Sequence, residues 1–108
     1  MLDLDALADA LIQTRRLLQQ HGDIYTAQRL QGLEGRLKNG DTSAIVSAVS
    51  EATGGMGSLN DRQLSVANGD AIQPHDVASA NTRLRALVKE VEQRARQAAA
   101  AHDIRLIR

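Results

Sequence analysis

Asn60, Asp61, His75 and Asp76 are the side chains best suited to acid–base or ligand chemistry in this sequence, with Asp70 between them. General acid–base catalysis needs such groups to converge in one pocket. The two acids, Asp61 and Asp76, also have an ordinary structural role, because acidic residues just before or inside a helix start are usually caps. The three histidines, His21, His75 and His102, fall at expected helix ends and show no His-x3-His spacing. A zinc site needs convergent ligands, so neither a metal nor a cofactor is expected. Ser47, Ser50 and Ser58 have no base and orienting group to make a nucleophile of them. The chain therefore reads as a non-enzyme, and a ligand or catalytic site at Asn60, Asp61, His75 and Asp76 is the alternative.

A second chemical candidate is the octapeptide at 54–61, Gly54-Gly55-Met56-Gly57-Ser58-Leu59-Asn60-Asp61. Glycine-rich loops expose backbone N–H groups that can cradle a phosphate. A phosphate loop, however, follows a strand and carries a Lys-Ser/Thr pair. Here a helix precedes, no lysine follows, and Asp61 would repel an anion. A folded turn explains every residue better. Gly54 stops a helix, and Gly55 and Gly57 permit torsions closed to other residues. Met56 and Leu59 are expected to plug the core. Ser58, Asn60 and Asp61 have short polar side chains expected to bond nearby backbone N–H groups and close the loop.

The elements that must position these residues follow from composition and periodicity. At 108 residues the chain suits one domain. It has no cysteine, which excludes disulfides and thiolate metal sites. Thirteen Lys and Arg balance thirteen Asp and Glu. A zero net charge argues against nucleic-acid binding, which needs a basic footprint. With one tyrosine and no Trp or Phe, stacking platforms for single strands are missing too. The start of the chain is acidic before it is basic, unlike a secretory signal. No apolar run approaches the roughly 20 residues that span a bilayer. These features lead us to expect a cytoplasmic protein with no membrane partner.

Leu4, Leu7, Leu11 and Leu18, with Thr14 in one slot, form the apolar stripe of a helix over 3–21, with Asp3 as its cap. Asp23 caps a second helix over 24–38, whose stripe is Ala27, Leu30, Leu33 or Glu34, and Leu37. Gly32 and Gly35 inside it suggest a tightly packed neighbouring helix, with a binding face that needs close backbone approach as the alternative, since glycine otherwise weakens a helix interior. Asp41 caps a third helix over 42–53, carrying Ile45, Ala48, Val49 and Ala52. Residues 54–73 lack helical period. Leu59, Leu64, Val66 and Ile72 are spaced apolar anchors there, Asn68-Gly69-Asp70 is a turn, and one helical turn at 62–64 or a strand at 64–67 is expected. Pro74 opens a last helix over 74–101, with Val77, Leu84, Val91 and Ala98 in heptad register. Ile104, Leu106 and Ile107 form an apolar tail that folds back. The expected fold is all-α, a single-domain bundle of about four helices with an irregular Gly-rich segment between the third and fourth.

The octapeptide, the Gly40-Asp41 pair before the third helix and the later Asn68-Gly69 together resemble a family of small bacterial proteins classed as a domain of unknown function. The likeness spans about residues 5–95. Arg62-Gln63-Leu64 departs from it, where a more apolar continuation is expected. The resemblance implies kinship and no activity. The function expected is a protein-binding module, in its most concrete form an immunity- or antitoxin-like bacterial protein that occludes a toxin. Candidate interface residues are Tyr25, Arg62, Arg83 and Arg85. Eleven of the thirteen cations are arginines, which fork carboxylates at interfaces. Self-association through the heptad-spaced last helix is the remaining alternative.

Overall fold

The computed structural model describes residues 2–106. It contains four α-helices, α1 (Leu2–Gln20), α2 (Ile24–Lys38), α3 (Ser43–Thr53) and α4 (Val77–Ala101). Two short 3-10 turns, Leu59–Asp61 and Pro74–Asp76, bracket the segment between α3 and α4. No strand occurs among the described residues. The chain is thus an all-α bundle. No described helix is long and apolar enough to cross a membrane.

The apolar stripes meet where their spacing places them. Leu7, Leu11, Leu30, Ile45, Leu84 and Val91 are fully buried in one continuous cluster. α1 packs against both α2 and α4, and α3 packs against α4. The Ala-rich end of α4 lies on the body, with Ala95, Ala98 and Ala99 buried. Ile104 and Leu106 fold back against the core. Ile107 lies outside the described residues.

Helix ends are fixed by local chemistry. Gly22 takes φ +84° and lets the chain turn from α1 to α2 within three residues. Asp23 then caps α2 by accepting the Thr26 N–H at 2.9 Å. The Asp41 carboxylate accepts from the Ser43 N–H and hydroxyl, at 3.0 and 2.6 Å. It thus supports the start of α3 from one residue outside the formal cap, Thr42. Asp3 is not a cap. It sits inside the first turn of α1, with its carboxylate 2.7 Å from His102 beyond the end of α4.

Several expectations for the irregular segment are corrected. The 3-10 turn covers Leu59–Asp61 rather than 62–64, and 64–67 is not a strand but leads into a turn over 66–69. Val66 is exposed, so only Leu59, Leu64 and the half-buried Ile72 serve as anchors. Pro74 opens a 3-10 turn, and α4 proper begins at Val77. Gly32 and Gly35 face solvent, and a Cβ at either position meets no heavy atom within 4 Å. No neighbouring helix requires them.

Candidate functional site

The octapeptide loop is built around an arginine that the sequence gives no reason to single out. Arg29, on the second turn of α2, reaches across to α3 and forks Glu51, with Nε to Oε2 at 2.6 Å and Nη2 to Oε1 at 3.0 Å. The same Nη2 donates to the Gly57 carbonyl at 3.0 Å. Glu51 in turn accepts the Leu59 N–H at 3.1 Å. One ion pair therefore joins two helices and holds the loop at two backbone points. Hydrogen bonding to Glu51 outweighs the desolvation of Arg29 and raises its pKa, so the guanidinium stays charged.

The loop closes on itself as well. Ser58 Oγ donates to the Gly55 carbonyl at 2.7 Å, and Asn60 Nδ2 donates to the Gly54 carbonyl at 3.2 Å. Gly57 sits at φ +86°, where other residues are strained. Gly54 is needed for a different reason. Its φ is an ordinary −75°, but a Cβ there would lie 2.5 Å from the Ser50 carbonyl oxygen. Ser58 and Asn60 thus close the loop, but by donating to carbonyls rather than by accepting backbone N–H bonds, and the Asp61 side chain makes no such bond among the described residues. Leu59 plugs the core at 1% exposure.

Met56 does not. It stands 98% exposed at the loop's tip. The ties at Gly54, Gly55, Gly57 and Leu59 fix the backbone on both sides of it, so the side chain is held outward. Tyr25, 76% exposed, flanks the same loop, with the Arg29 guanidinium 5.8 Å from its ring centroid. Val46 on α3 is 46% exposed. Met56, Val46, Ser47 and Ser50 border an open depression of about 470 Å³. Tyr25 and Asp61 border a smaller one of about 230 Å³, and Arg29, Gly57 and Ser58 border both. The two depressions share Arg29, Gly57 and Ser58 and so form one face, on which Tyr25, Val46 and Met56 stand among polar side chains around the Arg29–Glu51 pair.

The other predicted site residues are dispersed. Asn60 borders a cleft of about 310 Å³ with Leu84, Val88 and Arg85, whereas Asp61 borders the one with Tyr25. His75 and Asp76 border neither, and stand exposed 3.5 Å from each other. The ligand or catalytic grouping of Asn60, Asp61, His75 and Asp76 is therefore not assembled. No group of three or more His, Asp or Glu side chains gathers among the described residues.

Arg62 is engaged within the chain, although it borders two of the clefts. Its guanidinium is committed to Asp23, at 2.9 Å, and to Asp70. Desolvation pushes the Asp23 carboxyl up, but bonds from Arg62 and the Thr26 amide outweigh it and hold the pKa below the ordinary value. Arg83 and Arg85 are exposed on α4, and neither has an acidic partner among the described residues.

Two further polar contacts dock the second half of the segment. Asn81 on α4 is buried and pairs with both backbone groups of Leu64, donating to its carbonyl and accepting its N–H, each at 2.8 Å. His21 Nδ1 lies 2.9 Å from the Ala71 carbonyl, and the Ala71 N–H donates to the His21 carbonyl at 2.9 Å. Because a carbonyl only accepts, Nδ1 must carry the proton there. An asparagine among the apolar positions of α4 was the available signal for the first contact. Comparison with known protein families, with curated proteins and with solved structures found no match.

Proposed function

We propose that this chain is a non-enzymatic protein-binding module, docking through Tyr25, Val46 and Met56 around Arg29. The observation that carries the reading is Met56, a large apolar side chain held almost wholly in water by a hydrogen-bonded loop. A loop fixed before binding leaves less ordering entropy to oppose association. Methionine adapts to varied apolar surfaces, and tyrosine is a frequent anchor at interfaces. The Arg29–Glu51 pair cancels the charge at the centre of the face, and the exposed Asp61 stands at its edge. A nanomolar complex needs about 12 kcal/mol, and a few such anchors carry most of that in measured interfaces.

In its finer form the reading is an immunity- or antitoxin-like protein that occludes a partner, acting in the cytoplasm. The small helical body and a preset face support it. The octapeptide's likeness to a small bacterial family is in keeping with it and supplies no activity. The test compares the tagged chain with a Met56→Glu, Tyr25→Ala variant in capture from native lysate, with circular dichroism confirming that both are folded. A partner retained by the first and lost by the second is expected. Recovery of the chain alone at every salt concentration would overturn the proposal, and equal capture by both forms would move the interface elsewhere.

A further inference from the structure

A second surface lies between α1 and the end of α2. It is an open groove of about 630 Å³, whose floor includes Leu4, Ala8 and Ile12. Asp5 and Asp9 stand along its α1 wall, one helical turn apart and exposed. Neither carboxylate has an ion-pair partner among the described residues. Glu34, also at the groove, is neutralised by Arg15 at 2.7 Å, and Lys38 is the cation of the opposite wall.

Gly35 belongs to that opposite wall. It lies in the interior of α2, where glycine weakens a helix relative to alanine. A Cβ there meets nothing within 4 Å, so no contact inside this chain accounts for the bare backbone. Without a Cβ here, the α2 wall of the groove is open at this point.

We infer that this groove receives an amphipathic helix of a partner protein, with an apolar stripe against Leu4, Ala8 and Ile12 and two basic residues facing Asp5 and Asp9. Charge complementarity selects this occupant. Two carboxylates at i and i+4 match two lysines or arginines at i and i+4 on a facing helix, because both repeats follow the same helical pitch. An apolar floor flanked by charge is the recognition pattern for a helix laid in a groove. Gly35 lets the backbone of the incoming helix approach α2 closely. The surface is separate from the Met56 face and does not depend on it.

The probe is a labelled synthetic helix of about 15 residues carrying a Leu/Ala stripe and a Lys pair at i and i+4, with a control in which Glu replaces Lys. Fluorescence anisotropy with the full chain should show the Lys peptide binding at least about tenfold more tightly than the control, a difference that shrinks with salt. Gly35→Leu should weaken Lys-peptide binding at least about tenfold while raising the melting temperature of the free chain, so misfolding cannot explain the loss. Asp5→Lys with Asp9→Lys should reverse the preference between the two peptides, and Met56→Glu should change neither. The inference fails if the peptides bind alike, if neither binds below about 1 mM, or if Gly35→Leu leaves affinity intact. Dimerisation of the free chain that is abolished by Asp5→Lys with Asp9→Lys would assign the groove to a second copy, and would overturn the partner reading.

Discussion

The two halves of the segment between α3 and α4 are fastened by the same device and face opposite surroundings. In the first half, Arg29 forks Glu51 and reaches Gly57; in the second, Arg62 spans Asp23 and Asp70. The second half adds burial, since Leu64 is fully buried and its backbone is matched by Asn81. The first half buries Leu59 and leaves Met56 in water. Order and burial are therefore separable here. Polar ties hold both stretches and each buries a leucine, but only the first holds a large apolar side chain almost wholly in water. An ordered loop whose apolar tip does not contribute to its own core is free to offer that tip to another surface.

The comparison is broken most directly at Leu64. Leu64→Ala should destabilise the fold by about 3 kcal/mol, within the range for truncating a fully buried leucine, as read from urea unfolding. A loss below about 1 kcal/mol would show that the second half is as weakly anchored as the first half's tip. Asn81→Leu comes next. It keeps the bulk but strands a buried N–H and C=O of Leu64, so about 2 kcal/mol should be lost. Amide exchange at Leu64 should rise with it, and protection equal to that of the unchanged chain would mean that the backbone had found another partner.

Arg62 tests the ties rather than the burial. Arg62→Met should cost about 1 kcal/mol at neutral pH, after discounting for the partial exposure of the ion pairs. The acid limb gives a sharper readout. The Asp23 pKa is lowered in the folded chain. Its contribution is therefore fully present above the ordinary Asp value of about 3.9 and is lost as pH falls through the lower folded value. Stability should drop below about pH 4 in the natural chain, and that part of the drop should be smaller in Arg62→Met. An unchanged acid limb would show that Arg62 does not hold the Asp23 carboxylate in its charged form.

Much of this architecture was legible in the sequence because helices advertise themselves locally. The stripe of Leu4, Leu7, Leu11 and Leu18 needs no knowledge of its neighbours, and Asp23 caps α2 within its own turn. Gly22 marks the end of α1 for the same reason. The long-range ties were not legible. Nothing near Arg29 in sequence points to Glu51, 22 residues away, or to Gly57, 28 residues away. Arg62 looks like a surface cation until Asp23, 39 residues earlier, folds beside it. The assignment of Met56 to the core failed for a related reason. An apolar residue in an irregular segment carries no periodicity, so its side cannot be read. The same holds for Val66. Grouping Asp61 with His75 and Asp76 likewise treated nearness in sequence as nearness in space, and the intervening docked stretch leaves His75 and Asp76 away from the clefts that Asn60 and Asp61 border.

The smallest expected effect is the most informative about the loop. Met56→Ala should change folding stability by no more than about 0.5 kcal/mol, as for surface positions without special contacts, because a side chain already in water loses no burial. Gly57→Ala, one residue away, should cost about 1 kcal/mol, since a Cβ is strained at φ +86°. Denaturant unfolding of the pair separates what the loop needs from what it displays. If Met56→Ala proved as destabilising as Gly57→Ala, the methionine would have to be packed rather than exposed in solution. The contrast between the two halves would then disappear, and the docking face would lose its principal anchor.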